Sequence, residues 1–335
     1  FCGVVGMRPS PGRVAASVAS KIDSTLGIEG PMARNVEDLA LLFDAMIGEE
    51  PADPISLPSD GTSYLKATRS GWKPKRVAIS RDLGISPVDP EVADIVMKAA
   101  RQFEQAGVIV EEAHPDFHEA MECAQTLRAL SYAVGMRGLL ENHRAQLKPE
   151  VIWNIEKGLA LTGAEISRAE AQRGAMFQRT RKFFETYDLL LCPTTIVPPF
   201  PVEQRYVTEC NGTKFETYVD WLLIVSAITL VACPAISIPA GFTKEHLPVG
   251  IQIVAPTRGE ARLLAGARKP VMLAGRCSRS ARAAAMSWVS RRRGSACEST
   301  SVGSAAALLL ARTQPERRSA NARVASTFQR CHCCS

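Results

Sequence analysis

Hydrophobic positions in this chain switch repeatedly between a helical period and short unbroken runs, and that switching predicts its elements. Val36, Leu39, Ala40, Phe43 and Met46 recur at helical spacing behind Asn35, which can cap the helix with Asp38 three positions on; Gly48 supplies the stop. Residues 49–71 are rich in Pro, Asp, Ser and Gly and read as a surface loop. A compact strand–helix–strand unit follows. Residues 76–80 form a short buried run, and Pro90 then opens a helix whose apolar stripe is Val92, Ile95, Val96, Ala99 and Phe103. Gly107 ends that helix, and residues 108–111 return as a strand. Residues 117–144 and 165–187 read as long amphipathic helices, and 221–231 as a buried one. Residues 188–194, 235–239 and 249–254 read as strands, and Arg258 opens a last helix carrying Ala261, Leu264 and Ala265. A crossover unit of this kind lays helices over a sheet. The prediction is an α/β fold, a mixed β-sheet sandwiched between helices.

Charge divides the chain in two. Residues 1–266 carry 27 Lys and Arg against 32 Asp and Glu, a net of −5, whereas residues 267–335 carry 13 against 2, a net of +11. The helical pattern dissolves after Gly266 into Arg, Ser and Ala, without caps or a sustained period. A switch this abrupt inside a helix predicts one folded domain over 1–266, followed by a basic, disordered tail over 267–335 read out of frame. Half of the ten cysteines (Cys277, Cys297, Cys331, Cys333 and Cys334) fall in that tail. The others are widely spaced, which predicts buried thiols in a reducing, cytoplasmic setting. No apolar run approaches the ~20 residues needed to span a bilayer.

Five segments carry a family resemblance. They are Phe1-Cys2-Gly3 through Gly12-Arg13, Gly30-Pro31-Met32-Ala33-Arg34, Tyr187-Asp188-Leu189-Leu190-Leu191-Cys192-Pro193-Thr194, Cys233-Pro234-Ala235-Ile236-Ser237-Ile238-Pro239-Ala240-Gly241-Phe242, and Leu247-Pro248-Val249-Gly250-Ile251-Gln252-Ile253-Val254. In this order, they resemble the amidase signature family over residues 1–266. The resemblance implies a serine hydrolase that cleaves a carboxamide C–N bond with a Ser–cis-Ser–Lys triad, without metal or organic cofactor. It also implies that the triad and the Gly-rich oxyanion loop belong upstream of Phe1. The sheet is accordingly expected to be incomplete at its N-terminal side, and no catalytic residue is assigned in this chain. The same family contains the amidotransferase A subunit, which releases ammonia from glutamine for charged tRNA and works with partner subunits; that reading stays open. So does a non-catalytic pseudogene product.

What the chain is expected to hold is pocket wall. The resemblance places the acyl-binding channel along the helix at 219–230, where Leu222 and Ser226 share a face at i, i+4, and Thr194 follows the end of a strand. These three are the candidate substrate-binding residues, with Thr195 a weaker one. Lys21, Lys66, Lys73 and Lys75 lie in polar, turn-like contexts unsuited to a buried base. Cys192 lacks a nearby cation or helix start and reads as a sheet residue. His114 and His118 are separated by Pro115, which spoils a metal-binding helix face; Asp116, Glu119 and Glu122 read as solvated acids. Cys331-His332-Cys333-Cys334 is a single cluster without the second that a structural zinc site needs, and Arg291-Arg292-Arg293 lacks interleaved aromatics. No metal, no cofactor and no specific nucleic-acid partner is therefore expected. A small-molecule amide is the expected ligand, and a homodimer is a compatible assembly.

Overall fold

The computed structural model describes residues 1–16, 25–59 and 61–274. The tail from 275 onward, with its five cysteines and arginine run, lies outside the described residues, as does Lys21.

Nine strands and eight helices are described. The strands are β1 (Val5–Arg8), β2 (Met32–Ala33), β3 (Arg76–Ile79), β4 (Ile109–Glu112), β5 (Leu189–Pro193), β6 (Glu209–Cys210), β7 (Thr213–Lys214), β8 (Ala235–Phe242) and β9 (Pro248–Val254). The helices are α1 (Val36–Met46), α2 (Tyr64–Thr68), α3 (Pro90–Ala100), α4 (Ala120–His143), α5 (Pro149–Leu159), α6 (Gly163–Phe183), α7 (Leu223–Leu230) and α8 (Glu260–Ala274). Seven strands make one mixed sheet in the order β2-β1-β8-β9-β5-β3-β4; β6 and β7 form a separate ribbon. β3 runs parallel to β4 and β5, the geometry that the crossover through α3 requires, and the remaining pairs are antiparallel.

Register gives this sheet two unlike faces. Gly6, Ser237, Gln252 and Cys192 pair in one row across β1, β8, β9 and β5. The next row is Met7, Ile236, Ile253 and Leu191. Successive residues of a strand point to opposite faces, so one row is small and polar and the other wholly apolar. α3 and the 3-10 turn after it cover the apolar face, where Ala99 and Phe103 line a small gap together with Ile238, Ile251 and Ile253. α8 joins it there: a Cβ on Gly266 would stand 2.8 Å from Leu189 Cδ1. The opposite face is reached by α6. Arg8 donates to the carbonyls of Cys233 and Thr25, and Arg173 of α6 donates to the Thr25 hydroxyl and to the Leu230 carbonyl. Burial pushes the Arg8 pKa down to about 10.

The two ends of the described chain are tied by a carboxylate with no exposure to solvent. Glu260, the first residue of α8, accepts the Ser10 N–H at 2.9 Å and stands 3.5 Å from Arg13 Nε. In return, Ser10 Oγ accepts the Arg258 N–H at 2.7 Å. The Pro9-Ser10-Pro11-Gly12-Arg13 turn is thus a structural clasp. Gly12 completes it with φ +82°, and a Cβ there would meet the Ile55 carbonyl oxygen at 2.2 Å.

Several sequence expectations need correction. The loop at 49–71 contains α2, capped by Ser63, which accepts the Lys66 N–H, and also from outside: Asp44 of α1 accepts from the N–H groups of Tyr64 and Leu65 and from the Ser63 hydroxyl. The Phe43 and Tyr64 rings pack at 4.6 Å. α5 was not anticipated; Pro149 starts it, and it lies close against α4 because Gly158 lets the backbones approach. α1 ends when Ile47 turns extended, before Gly48 acts. The helix expected at 219–230 is broken, with a 3-10 turn at Asp220–Leu222 preceding α7. α8 runs across the expected boundary at Gly266: Ala267 is buried, and Arg268 pairs with Glu37 at 3.1 Å.

Two outcomes follow from this packing. A Cβ at Gly158 would lie 2.0 Å from the Ala129 carbonyl oxygen and 2.8 Å from the Ala133 methyl, so Gly158→Ala must force α5 off α4. Urea unfolding should show a loss of roughly 2 kcal/mol, the scale of overpacking. The second outcome concerns thiols. Burial lifts Cys192 from 9.0 to about 12, partly offset by a hydrogen bond from Gln252, and lifts Cys233 likewise to about 12. Their folded pKa lies above the unfolded one, so the stability they contribute is present below pH 9.0 and is lost as pH rises toward about 12. Iodoacetamide mapping at pH 8 should therefore modify exposed Cys2 while sparing Cys123, Cys192, Cys210 and Cys233 until denaturant is added. The urea midpoint should fall as pH rises above 9.

Candidate functional site

The small, polar face of the sheet is built by strand alternation around Ser237. Its hydroxyl lies 2.8 Å from that of Thr194, which has left β5 but stays attached to β9 through its N–H on the Gly250 carbonyl at 3.2 Å. Gly250 is what lets these groups meet, since a Cβ there would stand 3.0 Å from both hydroxyl oxygens. Gln252 donates to Cys192 Sγ at 3.4 Å. Ser237, Thr194 and Gly250 are half-buried while Cys192 is sealed, so the face grades from closed sheet toward an accessible hydroxyl pair. Thr194 was anticipated; Ser237, Gly250 and Gln252 were not. The available signal was the strict alternation Ile236-Ser237-Ile238, in which the odd residue must face away from the apolar core.

Leu222 and Ser226 occupy a second surface. Leu222 closes the 3-10 turn and caps α7, and Ser226 lies one turn on; both are half-buried, whereas Leu223, Ile224, Ala227 and Ile228 take the interior. The Ser226 hydroxyl makes no hydrogen bond among the described residues, and neither it nor Leu222 is bonded to Thr194. Asp220 fixes the turn. Its carboxylate accepts the N–H groups of Glu216 and Thr217 at 3.0 and 2.9 Å, the Thr217 hydroxyl, and Gln125 Nε2 at 3.1 Å. Trp221 beside Leu222 is stacked on Phe1 at 6.3 Å with an 8° interplanar angle, and Phe200 meets both rings edge-on. This half-buried aromatic trio was not anticipated, because its members are distant in sequence. Thr195, also half-buried, spends its hydroxyl locally, donating to the Val197 carbonyl at 2.9 Å.

The remaining candidates take ordinary places. Among the described residues, no three His, Cys, Asp or Glu side chains gather to hold a metal ion. His118 lies 2.9 Å from Asp116 and 3.4 Å from Glu119 on an exposed surface shared with Arg179. His114 packs over Gly84 with Nδ1 2.9 Å from the Pro115 carbonyl. Glu122 pairs with Arg168, and Lys73 donates to the Ala106 carbonyl. Burial holds Cys192 protonated, the opposite of what a nucleophile needs. No described helix is long and apolar enough to cross a membrane.

Residues 1–264 match the model of the Amidase family. Among curated proteins, an acylamidase from Rhodococcus erythropolis is 34% identical over 267 residues, covering 79% of this chain and 56% of its own length. The A subunit of the glutamyl-tRNA(Gln) amidotransferase from Thermus thermophilus is 33% identical over 291 residues, covering 80% and 59%. The chain thus spans a little over half the length of the curated relatives it matches. Among solved structures, a bacterial aryl acylamidase of the amidase signature family superposes with a TM-score of 0.72 at 23% identity, covering 81% of this chain and 58% of that one. A 6-aminohexanoate cyclic dimer hydrolase superposes at 0.70 with 24% identity, covering 81% and 60%. The mixed sheet and the ordered motifs along it have one family in common: this chain belongs to the amidase signature family.

Proposed function

We propose that this chain is the C-terminal part of a hydrolase that cleaves a small carboxamide to an acid and ammonia or an amine. The observation that carries this reading is the match of residues 1–264 to the Amidase family, supported by 34% identity to an acylamidase. In this reading, the chain supplies the central sheet and part of the acyl pocket. Leu222 and Ser226 form one wall, with the Phe1, Phe200 and Trp221 rings beside them, and Thr194 with Ser237 stands on the sheet floor. The Ser–cis-Ser–Lys set that the resemblance implies has no residue assigned here, so the chain by itself is proposed to be inactive. Free thiols at all five described cysteines, four of them buried, support a cytoplasmic setting. An amidotransferase reading rests on the 33% identity to the Thermus protein, and it requires ammonia release from glutamine together with partner subunits.

A chimera tests the proposal. The segment of the Rhodococcus acylamidase that precedes its match to Phe1 is fused ahead of this chain and assayed with anilides, aliphatic amides and glutamine. The chimera should hydrolyse an anilide or amide, and Ser226→Trp should raise KM more than it lowers kcat by narrowing the pocket wall. The chain alone should show no turnover above a heat-killed control. A folded chimera inert toward every amide would overturn the hydrolase reading. Activity on glutamine alone would transfer it to the amidotransferase class, and turnover by the chain alone would refute its inactivity.

A further inference from the structure

Outside the wall and floor just described, one cluster has more hydrogen-bond donors than its neighbours can accept. Arg128 of α4 donates through Nη2 to the hydroxyls of Tyr132 and Tyr218, at 3.1 Å each. Its guanidinium carbon lies 5.1 Å from the Tyr132 ring centroid and 5.6 Å from that of Tyr218. Asn154 of α5, fully buried, donates to the same Tyr218 oxygen and to the Glu150 carbonyl. The Tyr218 oxygen therefore receives two donors, and the Tyr132 oxygen receives one. The Tyr132 oxygen accepts from Arg128, which leaves its own O–H as a donor. Arg128 Nε is buried without a partner, and no carboxylate pairs with Arg128 among the described residues.

The nearby acids are already engaged. Glu150 pairs with Arg205, and Asp220 is taken up by Gln125, Thr217 and two backbone N–H groups. A second cation deepens the imbalance: Lys157 lies 5.0 Å above the Trp153 ring and, among the described residues, donates only to Gln125 Oε1, at 2.7 Å. Trp153 in turn meets Tyr218 edge-on at 6.1 Å. Aromatic faces can hold a guanidinium in place, but they offer no acceptor for its N–H groups. A partly buried cation with unspent donors is the complement of an anion. A carboxylate, accepting from a guanidinium and a hydroxyl at once, fits that donor set better than a neutral amide.

We propose that Arg128 and the Tyr132 hydroxyl form a receptor for the carboxylate of a small organic molecule, whose body packs against Tyr218 and Trp153. Tyr218 stands two residues before the Asp220–Leu222 turn, so an occupant here lies on the chain segment that leads into the candidate wall. The receptor is a binding site independent of amide hydrolysis, and its test requires no turnover.

The test is a calorimetric titration of the purified chain with benzoate, with benzamide as the neutral counterpart and sulfate at matched ionic strength. Benzoate should bind saturably and benzamide should not. Arg128→Met should weaken benzoate by about tenfold or more, the scale of a lost charge-assisted pair. Tyr132→Phe, which keeps the ring and removes one hydroxyl, should weaken it severalfold, and circular dichroism of both variants checks their folding. Absence of saturable benzoate binding would overturn the proposal, as would equal affinity in folded Arg128→Met. Equal affinity in Tyr132→Phe would remove the hydroxyl from the receptor and so refute it as stated. Equal binding of sulfate would reduce the site to an adventitious ion only.

Discussion

The antiparallel register of β1, β8, β9 and β5 is the constraint on which everything else depends. It aligns Gly6, Ser237, Gln252 and Cys192 on one face and Met7, Ile236, Ile253 and Leu191 on the other. Because the side-chain period is two, a slip of one residue would send the isoleucines to the polar face and Ser237 into the core. The penalty would be lost apolar burial on every strand at once, together with a hydroxyl left among α3 side chains. Hydrophobic burial thus selects the register, and the register in turn puts Thr194 and Ser237 within 2.8 Å of each other.

Close backbone approach is the second requirement, and glycine and small residues provide it where helices and strands must touch. Gly250 admits two hydroxyls, Gly158 admits α4, and Gly266 admits Leu189 of β5. Each contact joins segments far apart in sequence. The Glu260 clasp does the same with charge. A fully buried carboxylate persists because it accepts the Ser10 N–H and faces the Arg13 guanidinium as an ion pair, and removing the cation would leave its charge uncompensated in a low-dielectric interior. The motif that carries the family resemblance at the N-terminal end is therefore a fastening between that end and the start of α8. Polar saturation follows the same logic at Asp220, where backbone and side-chain donors fill the carboxylate and hold the turn before α7.

What the sequence determined by itself was the set of elements with strong local signals. The Asn35 cap, the Pro90 start, the stripe of α3 and the apolar runs of β3, β5, β8 and β9 all express short-range physics, and the mixed sheet between helices followed from them. The ordered motifs added the family. The resemblance also singled out Thr194, Leu222 and Ser226 as candidates, and the structure places all three at half-buried positions.

Only the tertiary structure decided which of these positions meet. α2 has its own cap in Ser63, but Asp44 of α1 takes up two further N–H groups and the Ser63 hydroxyl, and a sequence window over 49–71 does not contain that second partner. Ser237 joins Thr194 across 43 residues, Phe1 stacks on Trp221, and Arg128 finds Tyr218 across 90. Strand pairing order and helix approach set those contacts, and neither is encoded locally. The break of the 219–230 helix into a 3-10 turn and α7 has the same origin: the Asp220 carboxylate draws its donors from Gln125 on α4 as well as from its own turn. Local propensity therefore specified the pieces, and long-range packing and hydrogen-bond satisfaction specified which of them meet.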